Sequence, residues 1–426
     1  MIRILPCDTF TSDLMPDRSA ETARVGNVVE EIIADVCTNG DDALYRLSEK
    51  FDGARPASLE VPAQAWDAAL DQVGESFRDI LFRAAQNIEM FHKKQLREGF
   101  VAADIPGVLL GQLMIPLARA GIYVPGGTAA YPSTVLMNAI PARLAGVGEI
   151  IMCTPPSQGG KVAPEILAAA KVAGVTRVFC VGGAQAIAAM AHGTQSVPRV
   201  DKITGPGNAY VAEAKRQVYG HVGIDGIAGP SEILIVADGA ARADYIAADM
   251  LAQAEHDTNA AAILVTDCMQ LARCVAEEIE RQLVDLPRAE IARASIDQNG
   301  RIFVVKSLSD AMRISNEIAP EHLEICVDEP FALLPLVKNA GSIFLGHYSP
   351  EALGDYFAGT NHTLPTAATA RFASPLGVED FVKRTQFTYY TRDALRGVGG
   401  MVAEFANREG LHAHARSVQI RTEGGA

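Results

Sequence analysis

The chain has 426 residues, a formal net charge of -14 and 49% hydrophobic residues. This is enough apolar material for a large core and, at roughly 150 residues a domain, for two or more domains. A strongly acidic surface repels phosphate backbones, so nucleic acid is not an expected partner. No apolar run approaches the ~20 residues of a membrane span. The seven cysteines are scattered, which indicates neither a thiolate zinc site nor a disulfide framework, and we expect a cytoplasmic protein.

Residues 22–95 predict helices. Apolar residues recur at helical spacing, and Asn39-Gly40 separates a first helix from a second that ends at Gly53. One longer helix is predicted at 66–91. The tail beyond Val382 predicts helices at 392–406, interrupted at Gly399-Gly400, and at 409–417.

Strands and helices alternate after Gly121. The first series is a strand at 122–124, a helix at 135–144, a strand at 149–153, a helix at 164–172, a strand at 177–181, a helix ending at 190 and a strand at 200–203. A second series occupies 232–236, 243–254, 261–265, 269–283, 302–305, 308–318, 323–327 and 342–345. Such alternation is typical of parallel sheets covered by helices. We therefore expect two Rossmann-like domains with a crevice between them.

Five of the nine histidines lie in short segments that also carry acids or amides. These segments are Gln253-Ala-Glu-His256, Glu321-His322, Asp355 with Asn361-His362, and Glu409 with His412-Ala-His414. Histidine is the commonest metal ligand and the usual proton carrier near neutral pH. The pattern indicates one reaction centre assembled from distant parts of the chain.

Gln253 and His256 share one face at the end of a predicted helix. Because glutamine is not a standard zinc ligand, a site that uses it would be rich in nitrogen and oxygen and would leave room for substrate. Asp355 lies in a glycine-rich polar loop, where it can be a hard metal ligand. The alternatives are a solvated helix end and ordinary turn chemistry.

Glu321 and His322 follow a proline and precede a predicted strand, so they lie at a helix-to-strand corner. Imidazole suits proton abstraction near pH 7, and a carboxylate suits activation of water. From these two residues alone, the favoured interpretation is an ordinary acid in a loop beside an exposed histidine. Glu409 and His414 lie in a terminal helix, and His412 points to another side of it.

Two glycine loops follow strands and precede helices. They are Gly182-Gly183-Ala-Gln185 and Gly205-Pro-Gly207-Asn208. Backbone N–H groups and a helix dipole can hold phosphate there, although tight turns without a ligand fit about as well. Cys153 and Cys180 end two strands, where a thiol could add to an aldehyde; a buried small hydrophobe is the commoner role of a free cysteine.

Taken together, the motifs resemble those of the histidinol dehydrogenase family, in order and spacing, over residues 24–418. The motifs are Ile122-Tyr-Val-Pro-Gly-Gly, Gly183-Ala-Gln-Ala-Ile, Gly205-Pro-Gly-Asn, Ala228-Gly-Pro-Ser-Glu, Gln253-Ala-Glu-His256, Pro320-Glu-His-Leu, Ser349-Pro-Glu, Gly354-Asp-Tyr and Gly359-Thr-Asn-His. The resemblance implies oxidation of L-histidinol through L-histidinal to L-histidine, in the last steps of histidine biosynthesis. It implies reduction of two NAD, one zinc per subunit and a homodimer.

The resemblance also assigns roles to residues. The zinc ligands would be Gln253, His256, Asp355 and His414, and the catalytic pair would be Glu321 and His322. Substrate contacts would come from Ser231, His322, His362 and Glu409 together with the zinc ligands. NAD contacts would come from Tyr123, Gln185 and Asn208.

The implied fold has two incomplete Rossmann-like domains with parallel sheets, small helical terminal domains and an intertwined dimer. Segment 1–20 would pack with the C-terminal region. Residues 21–122 and 231–376 would form the metal and catalytic domain, and 123–230 the NAD domain. A small helical domain would span 377–406, and 407–426 would reach the partner subunit's site. The open alternatives are an NAD-dependent dehydrogenase of another small polyol, a zinc hydrolase and a non-catalytic metal-binding scaffold.

Overall fold

The computed structural model describes residues 2–6, 19–126, 130–157 and 160–423, with side chains described from Val25 onward in the first helix. Most of the predicted N-terminal segment, Gly127 of the first glycine turn and the end of the tail lie outside these residues. The chain divides into two units. One comprises Met1–Gln95 with Leu117–Phe381, and the other Leu96–Pro116 with Val382–Ala426.

The strands are β1 (Arg3–Pro6), β2 (Phe100–Ala102), β3 (Val108–Pro116), β4 (Arg119–Tyr123), β5 (Glu149–Thr154), β6 (Arg177–Cys180), β7 (Lys202–Thr204), β8 (Gly223–Ile224), β9 (Glu232–Ala237), β10 (Ala261–Thr266), β11 (Arg301–Val304), β12 (His322–Cys326), β13 (Ser342–Leu345) and β14 (Val382–Tyr390). The helices are α1 (Ser19–Asn39), α2 (Asp41–Phe51), α3 (Ala63–Gln72), α4 (Glu75–His92), α5 (Pro132–Ala145), α6 (Pro164–Ala173), α7 (Gly183–His192), α8 (Ala209–Val218), α9 (Ala243–Ala254), α10 (Met269–Leu283), α11 (Ala289–Asn299), α12 (Leu308–Ile318), α13 (Pro330–Leu333), α14 (Glu351–Tyr356), α15 (Arg392–Arg408) and α16 (His412–Glu423).

Two parallel sheets organise the larger unit, which confirms the predicted α/β class. The six-stranded sheet has the order β1-β11-β10-β9-β12-β13, and the five-stranded sheet has the order β6-β5-β4-β7-β8. All strand pairs in both sheets are parallel. Strands β9 and β10 are buried at every position, because helices cover both faces of a parallel sheet.

The alternation of side chains along β9 divides the core of the six-stranded sheet. Ile233 and Ile235 belong to the cluster formed with α9 and α10, and Leu234 and Val236 belong to the cluster formed with α12. Successive side chains of a strand point to opposite faces. Both clusters therefore fix the strand ends on which the site residues lie.

The N-terminal region bears on the predicted domain boundaries. Strand β1 pairs with β11 at the edge of the six-stranded sheet, with Arg3 opposite Arg301, and most of the rest of segment 1–20 lies outside the described residues. Helix α1 packs against α7 and α8, and α3 packs against α6. These helices therefore belong with the five-stranded sheet, whereas the prediction placed residues 21–122 in one domain with 231–376.

Glycine explains two further differences. The single helix predicted at 66–91 is two helices, because Gly74 has φ 78° and ψ 158°, outside the helical region. The predicted interruption at Gly399-Gly400 is wrong, since α15 runs through both residues. A Cβ at Gly399 would lie 2.7 Å from Thr422 Cγ2 of α16. That glycine permits close helix packing instead of ending a helix.

The smaller unit contains an antiparallel sheet of the order β14-β3-β2. Strand β14 pairs with β3 from Val382 opposite Pro116 to Tyr390 opposite Val108. The tail was expected to be largely helical, yet its first nine residues form this strand. Helices α15 and α16 follow and pack on each other. No helix among the described residues has the length and hydropathy needed to cross a membrane.

Candidate active site and metal centre

The predicted catalytic pair lies at the amino-terminal edge of the six-stranded sheet. His322 is the first residue of β12 and is opposite Ile233 of β9. Glu321 directly precedes it, after a helix that ends at Ala319 with φ 54°. Ligands of parallel sheets usually bind at the carboxyl ends of the strands, so the topology rule alone does not indicate this edge.

The His322 ring is held as a neutral base. Its Nδ1 lies 3.1 Å from the carbonyl oxygen of Glu232. A carbonyl only accepts, so Nδ1 carries the proton and Nε2 is left as the acceptor. Nε2 is buried and has no hydrogen-bond partner among the described residues. Burial lowers the pKa of His322 to about 3, so the imidazole is neutral at pH 7 and Nε2 can accept a proton.

The backbone of Glu232 holds both members of the pair. Its N–H donates to Glu321 Oε2 at 3.0 Å, while its carbonyl accepts from His322. The same Glu321 oxygen lies 3.7 Å from His322 Nδ1. Ser231, a predicted substrate contact, directly precedes Glu232 and is partly buried. The start of β9 therefore positions three of the predicted residues.

A metal could bind beside this pair. His256, Glu351 and Asp355 each offer one ligand atom, and these atoms lie within 4.8 Å of one another. Gln253 is fully buried on the preceding turn of α9 and lies against Glu351. Glu351 was not among the predicted site residues. The sequence signal that points to it is the Ser349-Pro-Glu motif, which carried no assigned role.

The electrostatics of this cluster favour a cation. Burial raises the pKa of Glu351 well above its usual value, and the neighbouring Asp355 and Glu321 carboxylates raise it further. Burial also raises the pKa of Asp355 to about 7. Within the described ranges, neither Glu351 nor Asp355 forms an ion pair with lysine or arginine. A divalent ion would offset this negative charge, and imidazole with amide and carboxylate oxygens suits zinc or a related first-row metal.

His362 connects this site to the five-stranded sheet. Its Nδ1 lies 3.1 Å from the backbone oxygen of Asp355, and its Nε2 lies 3.4 Å from Thr134 Oγ1 of α5. Burial lowers its pKa to about 4. A neutral ring at this junction can hydrogen-bond a substrate that lies between the two sheets.

The predicted NAD contacts lie at the carboxyl edge of the five-stranded sheet. The Tyr123 hydroxyl, at the end of β4, accepts the Gly183 N–H at 3.0 Å. Gln185 is 1% exposed, and its Nε2 has no hydrogen-bond partner among the residues described. Asn208 Oδ1 caps α8 by accepting from the backbone of Tyr210 and Val211, both at 3.1 Å.

A buried ion pair supports the second glycine loop. Lys215 Nζ donates to the Gly205 carbonyl at 3.0 Å and forms a salt bridge with the Asp225 carboxylate. Asp225 Oδ2 accepts the Gly205 N–H at 2.8 Å. Gly205 has φ 116°, and a Cβ there would collide with the Tyr123 carbonyl. Lys215 was not predicted as a functional residue, because a lysine on a helix usually faces water.

The two strand-end cysteines are poor nucleophiles. Burial raises the pKa of the Cys180 thiol to about 12, and it raises that of Cys153 as well. The thiolate is the reactive form of cysteine. Addition of either thiol to an aldehyde is therefore disfavoured.

Glu409 and His414 belong to the smaller unit. Glu409 caps the end of α15, and His414 lies in the first turn of α16. Both side chains are exposed. His412 Nδ1 lies 3.0 Å from Asn407 Oδ1, so it has a local partner.

A buried neutral imidazole beside a carboxyl group, together with glycine-rich βα turns at a parallel sheet, defines an NAD-dependent oxidoreductase of the α/β class. A family model of histidinol dehydrogenase matches residues 15–422. The chain belongs to the histidinol dehydrogenase family, and the enzyme acts in histidine biosynthesis.

Relatives and a solved structure agree. The chain is 55% identical over 395 residues to a histidinol dehydrogenase of Bacillus cereus, covering 93% of this chain and 92% of that protein. It is 53% identical to one of Streptococcus mutans, covering 95% and 94%. The crystal structure of histidinol dehydrogenase from Elizabethkingia anophelis superposes with a TM-score of 0.94 at 36% identity, covering 99% of this chain and 98% of that one.

Proposed function

We propose that the protein oxidises L-histidinol through L-histidinal to L-histidine and reduces two NAD in doing so. The observation that carries the proposal is the neutral, buried His322 with a free Nε2, held on the same backbone residue as Glu321. Two hydride steps need a base twice and an activated water once. One imidazole and one carboxylate meet that requirement.

We propose that zinc is held by Gln253, His256 and Asp355, with His414 as a further ligand. When bound, zinc would orient the amine and imidazole nitrogens of histidinol and act as a Lewis acid. Support comes from the mutual approach of His256 and Asp355 and from the uncompensated buried carboxylates. Ser231, His362 and Glu409 would hold the remaining substrate atoms.

In the first step, His322 Nε2 would take the hydroxyl proton of histidinol, and bound NAD would supply the acceptor for the hydride of the same carbon. The imidazolium then releases that proton to water. In the second step, Glu321 takes a proton from the water that attacks the aldehyde. His322 accepts the hydroxyl proton of the resulting hydrate as the second hydride leaves. A closed site would keep the reactive aldehyde from solvent.

NAD would be contacted by Tyr123, Gln185 and Asn208. The buried Gln185 amide without a partner supports this assignment, since buried polar groups are normally hydrogen-bonded. The turn beginning at Gly183 opens α7, so its backbone N–H groups can face a pyrophosphate. Residues 123–230 would form the dinucleotide domain.

The active form would be a homodimer in which Glu409 and His414 enter the partner subunit's site. Large apolar side chains are exposed on α15 and α16, including Met401, Phe405 and Ile420. Exposed apolar surface of this kind favours a protein partner. The net charge of -14 disfavours nucleic acid as a partner. The free thiols among the described cysteines suit a reducing cytoplasm.

The test is an assay of zinc-loaded protein with L-histidinol and NAD that follows both NADH and histidine. About two NADH should form for each histidine, because two hydrides leave the substrate. Turnover of another small polyol, with none of histidinol, would favour the alternative function, an NAD-dependent dehydrogenase of that polyol.

A subunit-mixing experiment tests the shared site. Mixing inactive His414→Ala and His322→Ala subunits should restore part of the activity if each site uses residues of both subunits. No recovery after subunit exchange contradicts a shared site.

A further inference from the structure

Glu351 contacts both halves of the site. Its side chain is 5% exposed, and it lies in the ligand cluster with His256 and Asp355. Its Oε1 is 3.6 Å from His322 Nδ1. Its backbone N–H donates to Glu324 Oε1 at 2.8 Å, so the residue is fixed at the first position of α14. A buried carboxylate at this junction needs a role beyond filling space.

The contact with Gln253 indicates that role. With the amide nitrogen directed at Glu351, Nε2 lies 2.6 Å from Oε1 and 2.7 Å from Oε2. Gln253 Oε1 then accepts the Glu232 N–H at 3.2 Å. The opposite orientation would place the amide oxygen against the two Glu351 oxygens and the amide nitrogen against the Glu232 N–H, so that a donor would face a donor. Glu351 therefore selects the orientation of the Gln253 amide.

We propose that Glu351 is a positioning residue for the metal centre. An amide binds a metal through its oxygen, and Gln253 has one oxygen and one nitrogen of nearly equal size. By accepting from the nitrogen with both carboxylate oxygens, Glu351 leaves the Gln253 oxygen as the ligand atom, through the lone pair that the Glu232 N–H does not use. This inference rests on the proposed zinc site, and it assigns to Glu351 an action through Gln253 instead of direct coordination.

The same contact connects the metal centre to the base. The Glu232 N–H donates to Gln253 Oε1, and the Glu232 carbonyl accepts from His322 Nδ1. A Gln253 amide turned the wrong way would remove one acceptor from that N–H. The orientation set by Glu351 thus preserves the backbone position that holds the His322 tautomer.

The test is a double-substitution cycle in zinc affinity, measured by competition with a chromophoric chelator. Glu351→Gln should weaken zinc binding about 10–100-fold, as loss of a partner that orients a metal ligand does. In a Gln253→Ala background the same change should have less than about a threefold effect, because coupled residues are not additive. Glu213→Gln, which removes a buried acid that pairs with Arg216, is the matched control and should bind zinc as the unmodified protein does.

Each outcome decides between the possibilities. An equal loss of zinc affinity in both backgrounds would show that Glu351 is a direct ligand, which overturns the positioning role. No loss of zinc affinity in either background also overturns it. If Glu351→Gln does not fold, Glu351→Asp, which keeps the charge but withdraws it from Gln253, should also weaken zinc binding; unchanged binding of that variant overturns the role. Failure of the unmodified protein to bind zinc instead contradicts the proposed metal site itself.

Discussion

The two sheets of the larger unit handle buried charge in opposite ways. At the carboxyl edge of the five-stranded sheet, Asp225 has a lysine partner, Lys215, and the pair fixes a glycine loop. At the amino edge of the six-stranded sheet, Glu351 and Asp355 form no ion pair with lysine or arginine in the described part of the chain. The first arrangement supports a binding loop without outside help. The second leaves two buried acids without a cationic side chain, and it lies beside Glu321 and His322.

Among the substitutions that test this comparison, replacement of His322 should cause the largest change, a loss of catalytic activity. His322→Asn is expected to lower kcat by about 10²–10⁴-fold, because general base catalysis contributes that much. Zinc content and the KM for NAD should stay near those of the unmodified protein, since neither involves the lost Nε2. Steady-state kinetics with metal analysis measure all three. Normal turnover of this variant would remove His322 from the mechanism.

Removal of Lys215 tests the other edge. Lys215→Met leaves Asp225 buried without its cation, so unfolding free energy should fall by about 3–5 kcal/mol, and the KM for NAD should rise. Lys202→Met is the matched control. Its pair with Asp380 spans 2.7 Å and is more exposed, so about 1 kcal/mol is expected. Equal decreases in unfolding free energy for the two variants, measured by denaturant unfolding, would show that burial does not distinguish the Lys215–Asp225 pair from the Lys202–Asp380 pair.

Glu321→Gln should separate the two chemical steps. An amide cannot take a proton from water, so histidinal oxidation should slow by about 10²-fold, and histidinol oxidation should slow less. Single-turnover rates with each substrate measure the difference. Equal slowing of both steps would contradict the division of roles between Glu321 and His322.

The smallest expected effect is a pH-dependent change in stability when Asp52 is replaced. Burial raises its pKa from 3.8 to about 6, so the folded state binds more protons between these values and stability falls as pH rises through about 6. Asp52→Asn should therefore be more stable than the unmodified protein at pH 7.5, on the order of 1 kcal/mol for a partly exposed group. The advantage should vanish near pH 4. Thermal unfolding at both pH values checks this, and a difference independent of pH would contradict it.

Local sequence patterns predicted the regular core well. The helices at Ala243–Ala254, Met269–Leu283 and Leu308–Ile318 have the predicted bounds, because amphipathic spacing and caps are local properties. A helix after Asn208 was predicted without bounds and is α8 (Ala209–Val218), whereas the strands of the smaller unit were missed. Strand β3 is stabilised by β14, far along the chain, and such pairing leaves little trace in either segment alone.

The candidate site was predicted in part for a similar reason. Histidine is rare enough in this chain to draw attention, and a family resemblance supplied the roles. Glu351 is one acid among 51 acidic residues, and only the fold brings it to Gln253 and His322. Gln253 and Glu321 were identifiable by motif, but the Glu232 backbone that joins them has no side-chain signature.

The position of β1 has a consequence for synthesis of the chain. Arg3 pairs with Arg301, so β1 is synthesised long before β11, and the two strands pair only after the intervening chain has been made. Until then β11 presents an open parallel edge, which can pair with other chains. Contacts of such long sequence separation slow folding and prolong that exposure. Yield of native enzyme should therefore depend on what holds this edge during translation.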